Sequence, residues 1–478
     1  MSPRIAAFVF VGAAVAAPFA QAPFVHADVR LAKVFGNSMV LQQKTQAAVW
    51  GWAEKGEEVS VSLGGSRASC KAGDDGRWLA ALSTPAAGGP HELKVQGRNE
   101  IVLRDVLIGE VWICSGQSNM EWPVHLALLP DVERETARHP RIRMIKVKHN
   151  PAENLAADIE GEWRVSSPET VRDFSAVGYF FARHLSVELD VPVGMIDTSW
   201  GGTICEAWTS REKLAADPDF GEILKRSEKF QPGNPNQASV LFNGMVHPVI
   251  PFGIRGAIWY QGESNVSRAV QYRKLFPAMI SDWRARFGRG DFPFLFVQLA
   301  PFNYGGENIA LPELWEAQLA TLSIPNTGMC VTTDLSDIKD IHPRNKQDVG
   351  RRLALWALAN TYGQSGRAHS GPLYESMAVE GSTVRLKFKH AESGLAARDA
   401  KDGELTHFTI AGKDRKFVEA QASIEGGTVI VKSDQVPDPV AVRFAWQGSA
   451  EPNFFNGAGL PASPFRTDDF PLTTQDAK

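Results

Sequence analysis

The segment Glu110-Val111-Trp112-Ile113-Cys114 runs without a break into Ser115-Gly116-Gln117-Ser118-Asn119-Met120. A continuous apolar run of this length predicts a strand that is buried on both faces. Gly116, two residues before Ser118, permits a tight turn that lifts a hydroxyl to the end of a sheet. A helix beginning just after Ser118 would direct its free N–H groups towards an oxyanion formed there. Ser118 is therefore a candidate nucleophile.

Four more apolar runs follow this segment, and amphipathic segments with helical periodicity separate them. The runs cover residues 193–196, 256–260, 294–297 and 329–331. The helical faces consist of Val177, Phe181 and Leu185, of Met279, Trp283 and Phe287, and of Val349, Leu353 and Trp356. Strands that alternate with helices predict an α/β fold, a parallel sheet with helices on both faces. Ligands of such sheets bind at the carboxyl ends of the strands.

Both flanks of this central region alternate apolar and polar residues with period two. Val59, Val61 and Leu63 show this pattern before the central region, and Val384, Leu386 and Phe388 show it afterwards. Alternation of this kind predicts antiparallel strands. The predicted organisation is an amino-terminal β domain over residues 28–106, a catalytic domain over 107–368 and a carboxyl-terminal β domain over 369–478. The last segment either completes the first β domain or stands alone.

The first residues have the layout of a secretory signal. An apolar run over residues 5–20 precedes Val25-His26-Ala27, which is a small-residue cleavage site, and the mature chain would begin at Asp28. Cleavage after Ala22 and retention as a membrane anchor are the alternatives, although the run is shorter than the ~20 residues of a membrane span. We therefore predict a signal peptide over residues 1–27 and a secreted or periplasmic protein with no membrane partner.

Composition excludes several other classes of function. The chain has 478 residues, with 50 basic and 54 acidic side chains, so its net charge of −4 gives no basic surface for nucleic acid. There is no P-loop, no Gly-x-Gly-x-x-Gly and no His-Glu-x-x-His sequence, so neither a metal nor another cofactor is predicted. The cysteines form no Cys-x-x-Cys pair and are interpreted as free thiols: Cys70, Cys114, Cys205 and Cys330. The oligomeric state is left open.

The ends of three other predicted strands carry groups that would complement a serine nucleophile. Paired glycines, Gly201 and Gly202, follow the strand at 193–196 and can offer a main-chain N–H donor. Gln261 follows the strand at 256–260 and is a neutral amide donor. His342 stands in a loop after the strand at 329–331, and a serine needs such a base for acyl transfer. Structural turns and a solvated histidine are the alternative interpretations.

Longer strings in the same order resemble the sialate O-acetylesterase family of SGNH hydrolases. They include Val34-Phe35-Gly36-Asn37-Ser38-Met39-Val40-Leu41-Gln42, Gly109-Glu110-Val111-Trp112, Gly116-Gln117-Ser118-Asn119-Met120, Trp259-Tyr260-Gln261-Gly262-Glu263-Ser264-Asn265 and Ile341-His342-Pro343-Arg344-Asn345-Lys346. The resemblance implies a three-layer αβα flavodoxin-like hydrolase domain with a β-rich accessory domain built from both flanks. It also implies a serine esterase that deacetylates carbohydrates, with Ser118 as nucleophile, His342 as base, and Gly202, Gln261 and the Ser118 N–H in the oxyanion hole.

The acid of the triad departs from the usual SGNH pattern. Many of these hydrolases carry the acid three residues before the histidine, where this chain has Lys339. We predict that Asp340 orients His342. Asp337, Asp334 and a main-chain carbonyl are the alternatives.

The substrate and the type of activity also have alternatives. O-acetylated sialic acid is the substrate that the resemblance implies, and acetylxylan or another acetylated polysaccharide is the second. Trp122, Trp200 and Tyr260 are candidates for stacking on a sugar or for core packing. A glycosidase that uses Glu206, Glu263 or Asp334 and a non-catalytic carbohydrate-binding protein are the rival functions.

Overall fold

The computed structural model describes residues 28–305, 309–400 and 402–477. The predicted signal peptide over 1–27 lies outside these residues. None of the helices in the described ranges combines the length and apolar character that crossing a bilayer requires.

The amino-terminal region consists of mostly antiparallel strands that lead into one long strand. They are β1 Arg30–Leu31, β2 Val40–Gln42, β3 Gln46–Trp52, β4 Glu58–Leu63, β5 Ser66–Lys71, β6 Arg77–Ser83, β7 Gly88–Gln96 and β8 Glu100–Gly116. β1, β3 and β6 form one sheet, whereas β4 pairs with β5 and β7. The first half of β8 pairs with β7, and its second half is fully buried. A single strand therefore crosses the expected boundary at residue 106.

The second half of β8 lies in the middle of a largely parallel sheet. The remaining strands of this sheet are β9 His139–Lys146, β10 Trp163–Ser166, β11 Val193–Asp197, β12 Gly256–Tyr260, β13 Phe294–Val297 and β14 Thr327–Cys330. Their order is β10-β9-β11-β8-β12-β13-β14, and every neighbouring pair except β10 with β9 is parallel. The predicted parallel sheet is confirmed, and its order places the end of β8 between the ends of β11 and β12.

Helices connect these strands. They are α1 Ser118–Glu121, α2 Pro130–Thr136, α3 Ala176–Leu189, α4 Arg211–Ala215, α5 Gly221–Arg226, α6 Ala269–Phe287, α7 Ala310–Ala320 and α8 Lys346–Asn360. Trp112 of β8 contacts Phe181 of α3, with ring centroids 5.0 Å apart. Trp259 of β12 contacts Trp283 of α6 at 6.0 Å. Trp112 pairs with Gly256, three residues before Trp259, so the two tryptophans point to opposite faces of the sheet. Helices α3 and α6 therefore cover opposite faces.

The carboxyl-terminal region is rich in short antiparallel strands. They are β15 Leu373–Glu380, β16 Thr383–Lys389, β17 Leu395–Ala397, β18 Glu404–Leu405, β19 Phe408–Ala411, β20 Phe417–Glu419, β21 Gln421–Glu425, β22 Thr428–Lys432, β23 Ala441–Phe444, β24 Phe454–Asn456 and β25 Phe465–Arg466. β15-β16-β22-β21-β18 form one sheet, β20-β19-β23-β25 form another, and β17 pairs with β24.

The buried apolar residues show that the two flanks are separate units. One cluster extends from Val29 to Leu373 and includes the amino-terminal strands together with the central sheet. A second cluster, from Val384 to Phe465, belongs to the carboxyl-terminal strands alone. Among the described residues, no strand of one flank pairs with a strand of the other. The prediction of one accessory β domain built from both flanks is wrong, because β8 carries the amino-terminal strands into the central core.

Candidate active site

Ser118 follows the end of β8, where the carboxyl ends of the parallel strands meet. Gly116 has φ +132°, and a Cβ at this position would lie 2.1 Å from the carbonyl oxygen of Tyr260 on β12. The next residue, Gln117, donates its main-chain N–H to the same carbonyl at 2.9 Å. Glycine is therefore required for this close approach. The turn ends at Ser118, the first residue of α1.

His342 lies beside this serine. Its Nε2 is 2.9 Å from Ser118 Oγ. The Trp122 ring stacks on the imidazole, with centroids 4.7 Å apart and planes inclined by 17°. Burial and then the positive charge of Lys346 lower the pKa of His342, and the charge of Asp340 partly opposes them. An imidazole in this state is neutral at neutral pH and can accept the hydroxyl proton.

Of the three aspartates considered as the acid, only Asp340 lies near the imidazole. Its Oδ1 is 3.6 Å from His342 Nδ1, which is longer than a hydrogen bond, and accepts the main-chain N–H of His342 at 2.9 Å. Asp337 accepts the main-chain N–H of Lys339 instead. Asp334 forms a bidentate pair with Arg352 at 2.7 Å. Within the described chain, no main-chain carbonyl forms a hydrogen bond with Nδ1. Asp340 is therefore a carboxylate near the base without a direct hydrogen bond to it.

The turn after β11 lies against the nucleophile. A Cβ on Gly201 would lie 3.2 Å from Ser118 Cβ, so the turn packs against the serine. Gly202 has φ +73°, and a Cβ on it would meet no atom within 4 Å. No acceptor among the described residues contacts the N–H of Gly202 or of Ser118. These two groups can donate to an oxyanion. Helix α1 has only four residues, so its dipole adds little to these individual donors.

Gln261 lies near this turn but is already engaged. The side chain is fully buried, and its Nε2 donates to the carbonyl of Thr203 at 3.1 Å and to Asn265 Oδ1 at 2.7 Å. Asn265 in turn donates to Glu206, which pairs with Arg268 at 2.8 Å. Both hydrogens of the amide therefore have acceptors within the protein. In this arrangement Gln261 is not the free oxyanion donor that the sequence predicts.

Glu121 is a residue of the site that the sequence analysis missed. Its Oε2 accepts the N–H of Gly201 at 2.7 Å, and its Oε1 lies 3.0 Å from His149 Nε2 and 3.1 Å from Lys146 Nζ. Burial would raise the pKa of Glu121, but the contacts with His149, Lys146 and Gly201 lower it to about 2. The carboxylate therefore holds the glycine turn. Its position three residues after Ser118 was the signal available in the sequence.

The three candidate sugar-stacking residues have different environments. Tyr260 is 1% exposed and belongs to the core. Trp122 covers the imidazole of His342. Trp200 is half-buried and stacks on His149, with centroids 4.1 Å apart and planes inclined by 4°. Trp200 directly precedes Gly201 and keeps part of its surface exposed.

Comparison with known proteins identifies the family. The sequence profile of a carbohydrate esterase family described as sialic acid-specific acetylesterase matches residues 108–359. Sialate O-acetylesterases from Pongo abelii and Homo sapiens are each 33% identical over 490 residues, which covers 91% of this chain and 92% of each relative. The chain belongs to this family. The segment that matches the sialic acid-specific acetylesterase profile includes both Ser118 and His342.

A solved structure extends the relationship beyond that segment. The crystal structure of a carbohydrate acetylesterase from Xanthomonas citri matches with a TM-score of 0.86 at 39% identity. The match covers 92% of this chain and 100% of that chain. The similarity to this acetylesterase therefore includes the β-rich flanks as well as the central sheet.

Proposed function

We propose that this chain is a serine carbohydrate esterase that removes O-acetyl groups through an acetyl-enzyme on Ser118. The contact of 2.9 Å between Ser118 Oγ and His342 Nε2 is the observation that carries the proposal. A serine hydroxyl is a weak nucleophile, and a neutral imidazole at this distance is the base that it needs. The membership of the chain in a carbohydrate acetylesterase family supports the same class of reaction.

In the proposed reaction, His342 Nε2 takes the proton of Ser118 as Oγ attacks the acetyl carbonyl carbon. The resulting oxyanion accepts hydrogen bonds from the N–H groups of Ser118 and Gly202. The tetrahedral intermediate then breaks its bond to the sugar oxygen, which leaves with the proton from the imidazolium. Water repeats these steps on the acetyl-enzyme and releases acetate. Asp340 stabilises the imidazolium through its charge.

We propose O-acetylated sialic acid as the substrate, because the family profile and the curated relatives are named for that activity. The solved relative from Xanthomonas citri is named as a carbohydrate acetylesterase without a particular sugar, and an acetylated polysaccharide such as xylan is the second candidate. A binding surface beside Trp200 would suit either sugar, because an aromatic ring stacks on pyranose rings without regard to charge.

The carboxylates that a glycosidase would need are occupied. Glu206 is 1% exposed and pairs with Arg268, and Asp334 pairs with Arg352. Glu263 accepts a hydrogen bond from Asn119 at 2.6 Å. These contacts support the esterase over the glycosidase.

We further propose that the central sheet and its helices form a three-layer αβα domain of the SGNH type. Helices α3 and α6 on opposite faces support this assignment. The domain limits of 28–106, 107–368 and 369–478 remain proposals, as do export and cleavage after Ala27.

The proposal is tested by product analysis with a matched inactive variant. The mature chain and Ser118→Ala are incubated with p-nitrophenyl acetate, O-acetylated sialic acid and acetylxylan, and acetate release is measured with and without a serine-directed inhibitor. We expect inhibitor-sensitive acetate release by the wild type and none by Ser118→Ala. Sugar binding with no acetate release from any ester would identify a non-catalytic carbohydrate-binding protein. The ratio of kcat/KM between the two sugars assigns the substrate.

A further inference from the structure

A buried charged network lies behind the Ser118 and His342 pair. Lys346 is 0% exposed, and its ammonium donates to Asn119 Oδ1. Asn119, itself 1% exposed, donates from Nδ2 to Glu263 Oε1 at 2.6 Å and to the carbonyl of Ile341 at 3.0 Å. The Asn119 amide therefore connects an ammonium, a carboxylate and the loop that carries the histidine.

This position is unfavourable for a lysine on structural grounds alone. Burial of an ammonium is strongly unfavourable unless partners compensate for the lost water. Lys346 is also the first residue of α8, where the helix dipole disfavours a cation. Burial lowers the pKa of Lys346 to about 7, although the charges of Glu263 and Asp340 oppose that shift. The rings of Tyr260 and Trp122, with centroids 5.3 and 5.8 Å from Nζ, offset part of the cost.

The charges at the two ends fix the orientation of the Asn119 amide. An ammonium can only donate, so it requires the amide oxygen, and an ionised carboxylate can only accept, so it requires the amide nitrogen. The second hydrogen on Nδ2 then points to the carbonyl of Ile341. Asn119 directly follows Ser118, and Ile341 directly precedes His342. This hydrogen bond therefore ties the side chain next to the nucleophile to the main chain next to the base.

The same ammonium acts on the imidazole through its charge. After burial, Lys346 is the strongest cause that lowers the pKa of His342, and Asp340 acts in the opposite direction. The charged groups that face Lys346 are Glu263 and Asp340, and the imidazole is the nearby group that shares its sign when protonated. The balance of Lys346 and Asp340 thus favours a neutral base at neutral pH.

We propose that Lys346 is a positioning residue for the reaction, with Glu263 as its counter-charge. It orients the Asn119 amide, which holds the His342 loop against the nucleophile, and it places a positive charge behind the imidazole. This inference rests on the proposed serine esterase function and assigns roles to residues outside the triad and the oxyanion hole.

The first test is Lys346→Met, which keeps a long side chain and removes the charge. Folding is checked by circular dichroism and thermal unfolding. On p-nitrophenyl acetate we expect kcat to fall by about 100-fold with KM within twofold, because a slightly misplaced base costs a factor of this size. The acid limb of the kcat/KM profile should move to higher pH, because removal of the ammonium raises the pKa of His342. Lys339→Met is the control: it removes an exposed charge from the same loop and should retain wild-type kcat and pH profile.

A second variant keeps the proposal testable if Lys346→Met does not fold. Glu263→Gln preserves shape but leaves the ammonium without its counter-charge, so Lys346 loses its proton at lower pH. We expect kcat to fall about tenfold and the acid limb to move to higher pH again. A direct effect of the lost negative charge on His342 would move the limb to lower pH, and that result would overturn the proposal.

The imidazole can also be titrated by NMR in the Ser118→Ala background, which needs no activity. Introducing Lys346→Met there should raise the pKa of His342. A folded Lys346→Met protein with wild-type kcat and an unchanged His342 titration would overturn the proposal. Failure of the proposed esterase function is distinguishable from failure of the Lys346 proposal. In the first case the wild type would release no more acetate than Ser118→Ala.

Discussion

Asp340→Asn separates the charge of this residue from its structural role. The Asp340 Oδ1 atom accepts the main-chain N–H of His342 at 2.9 Å, and an asparagine oxygen can accept the same hydrogen bond. The distance of 3.6 Å from Oδ1 to Nδ1 means that no direct hydrogen bond to the imidazole is lost. The substitution therefore leaves the loop intact and removes only the electrostatic stabilisation of the imidazolium.

The expected loss in kcat for Asp340→Asn follows from the distance between Asp340 and His342 and from the exposure of Asp340. Two unit charges 3.6 Å apart interact by about 1 kcal/mol at the dielectric constant of water and by about 5 kcal/mol at an effective value near 20. Asp340 is 51% exposed, so the lower end applies, and we take about 1–2 kcal/mol. This corresponds to a fall in kcat of roughly 5- to 30-fold. Replacement of a buried, hydrogen-bonded triad aspartate costs on the order of 10⁴-fold.

The pH profile independently tests the direction in which Asp340→Asn shifts the pKa of His342. The charge of Asp340 raises the pKa of His342, so its removal lowers that pKa. Because the neutral imidazole is the active form, the acid limb of kcat/KM should move to lower pH. Steady-state kinetics on p-nitrophenyl acetate from pH 4 to 9 measures both effects, with Asp337→Asn as the control from the same loop. A loss beyond 10³-fold, or an acid limb that moves upward, would refute this account of the site.

The remaining predictions concern the nucleophile and the groups around it. Ser118→Ala should lower kcat by on the order of 10⁴-fold or more, with the melting temperature almost unchanged. Gly202→Ala should lose about 1–2 kcal/mol in chemical denaturation and also reduce kcat, because φ is +73° there while the space for a Cβ is open. Gln261→Ala should cost about 1–3 kcal/mol of stability along with kcat, since it removes the side-chain donor to the buried Thr203 carbonyl and one of the two donors to Asn265 Oδ1; a fall in kcat without any loss of stability would instead identify a direct oxyanion donor. Trp200→Ala should raise KM about tenfold for an acetylated sugar, by loss of stacking, and leave KM for p-nitrophenyl acetate unchanged.

Apolar runs were sufficient to predict the strands that carry the site. The segment 110–114 lies within β8, and 256–260 and 294–297 coincide with β12 and β13. The sequence missed β9, because Pro140, Arg141 and Arg143 interrupt its apolar pattern. Parallel strands place their carboxyl ends at one edge of the sheet. The sequence therefore predicts that Ser118, Gly202 and His342 lie close together.

Other features depend on side-chain orientation, which a linear pattern does not encode. A carboxylate two residues before the histidine is visible in the sequence, but its contact with the main-chain N–H of His342 is not. The amide of Gln261 is engaged because Thr203 and Asn265 converge on it from distant positions. The period-two alternation of apolar and polar residues predicts strands in both flanks. It does not indicate which hydrophobic core each strand joins. The motif around His342 includes Lys346 but does not indicate its burial, which is evident only in three dimensions.

The unbroken course of β8 limits how the molecule can be divided. The family profile begins at residue 108, in the middle of this 17-residue strand. A fragment cut at that point would keep Ser118 and His342 but lose the strand segment that pairs with β7. The apolar side chains that the amino-terminal strands bury against the central core would then be exposed to water. Recombination between relatives should therefore tolerate exchange of the carboxyl-terminal unit, which has its own core, more readily than exchange of the amino-terminal one.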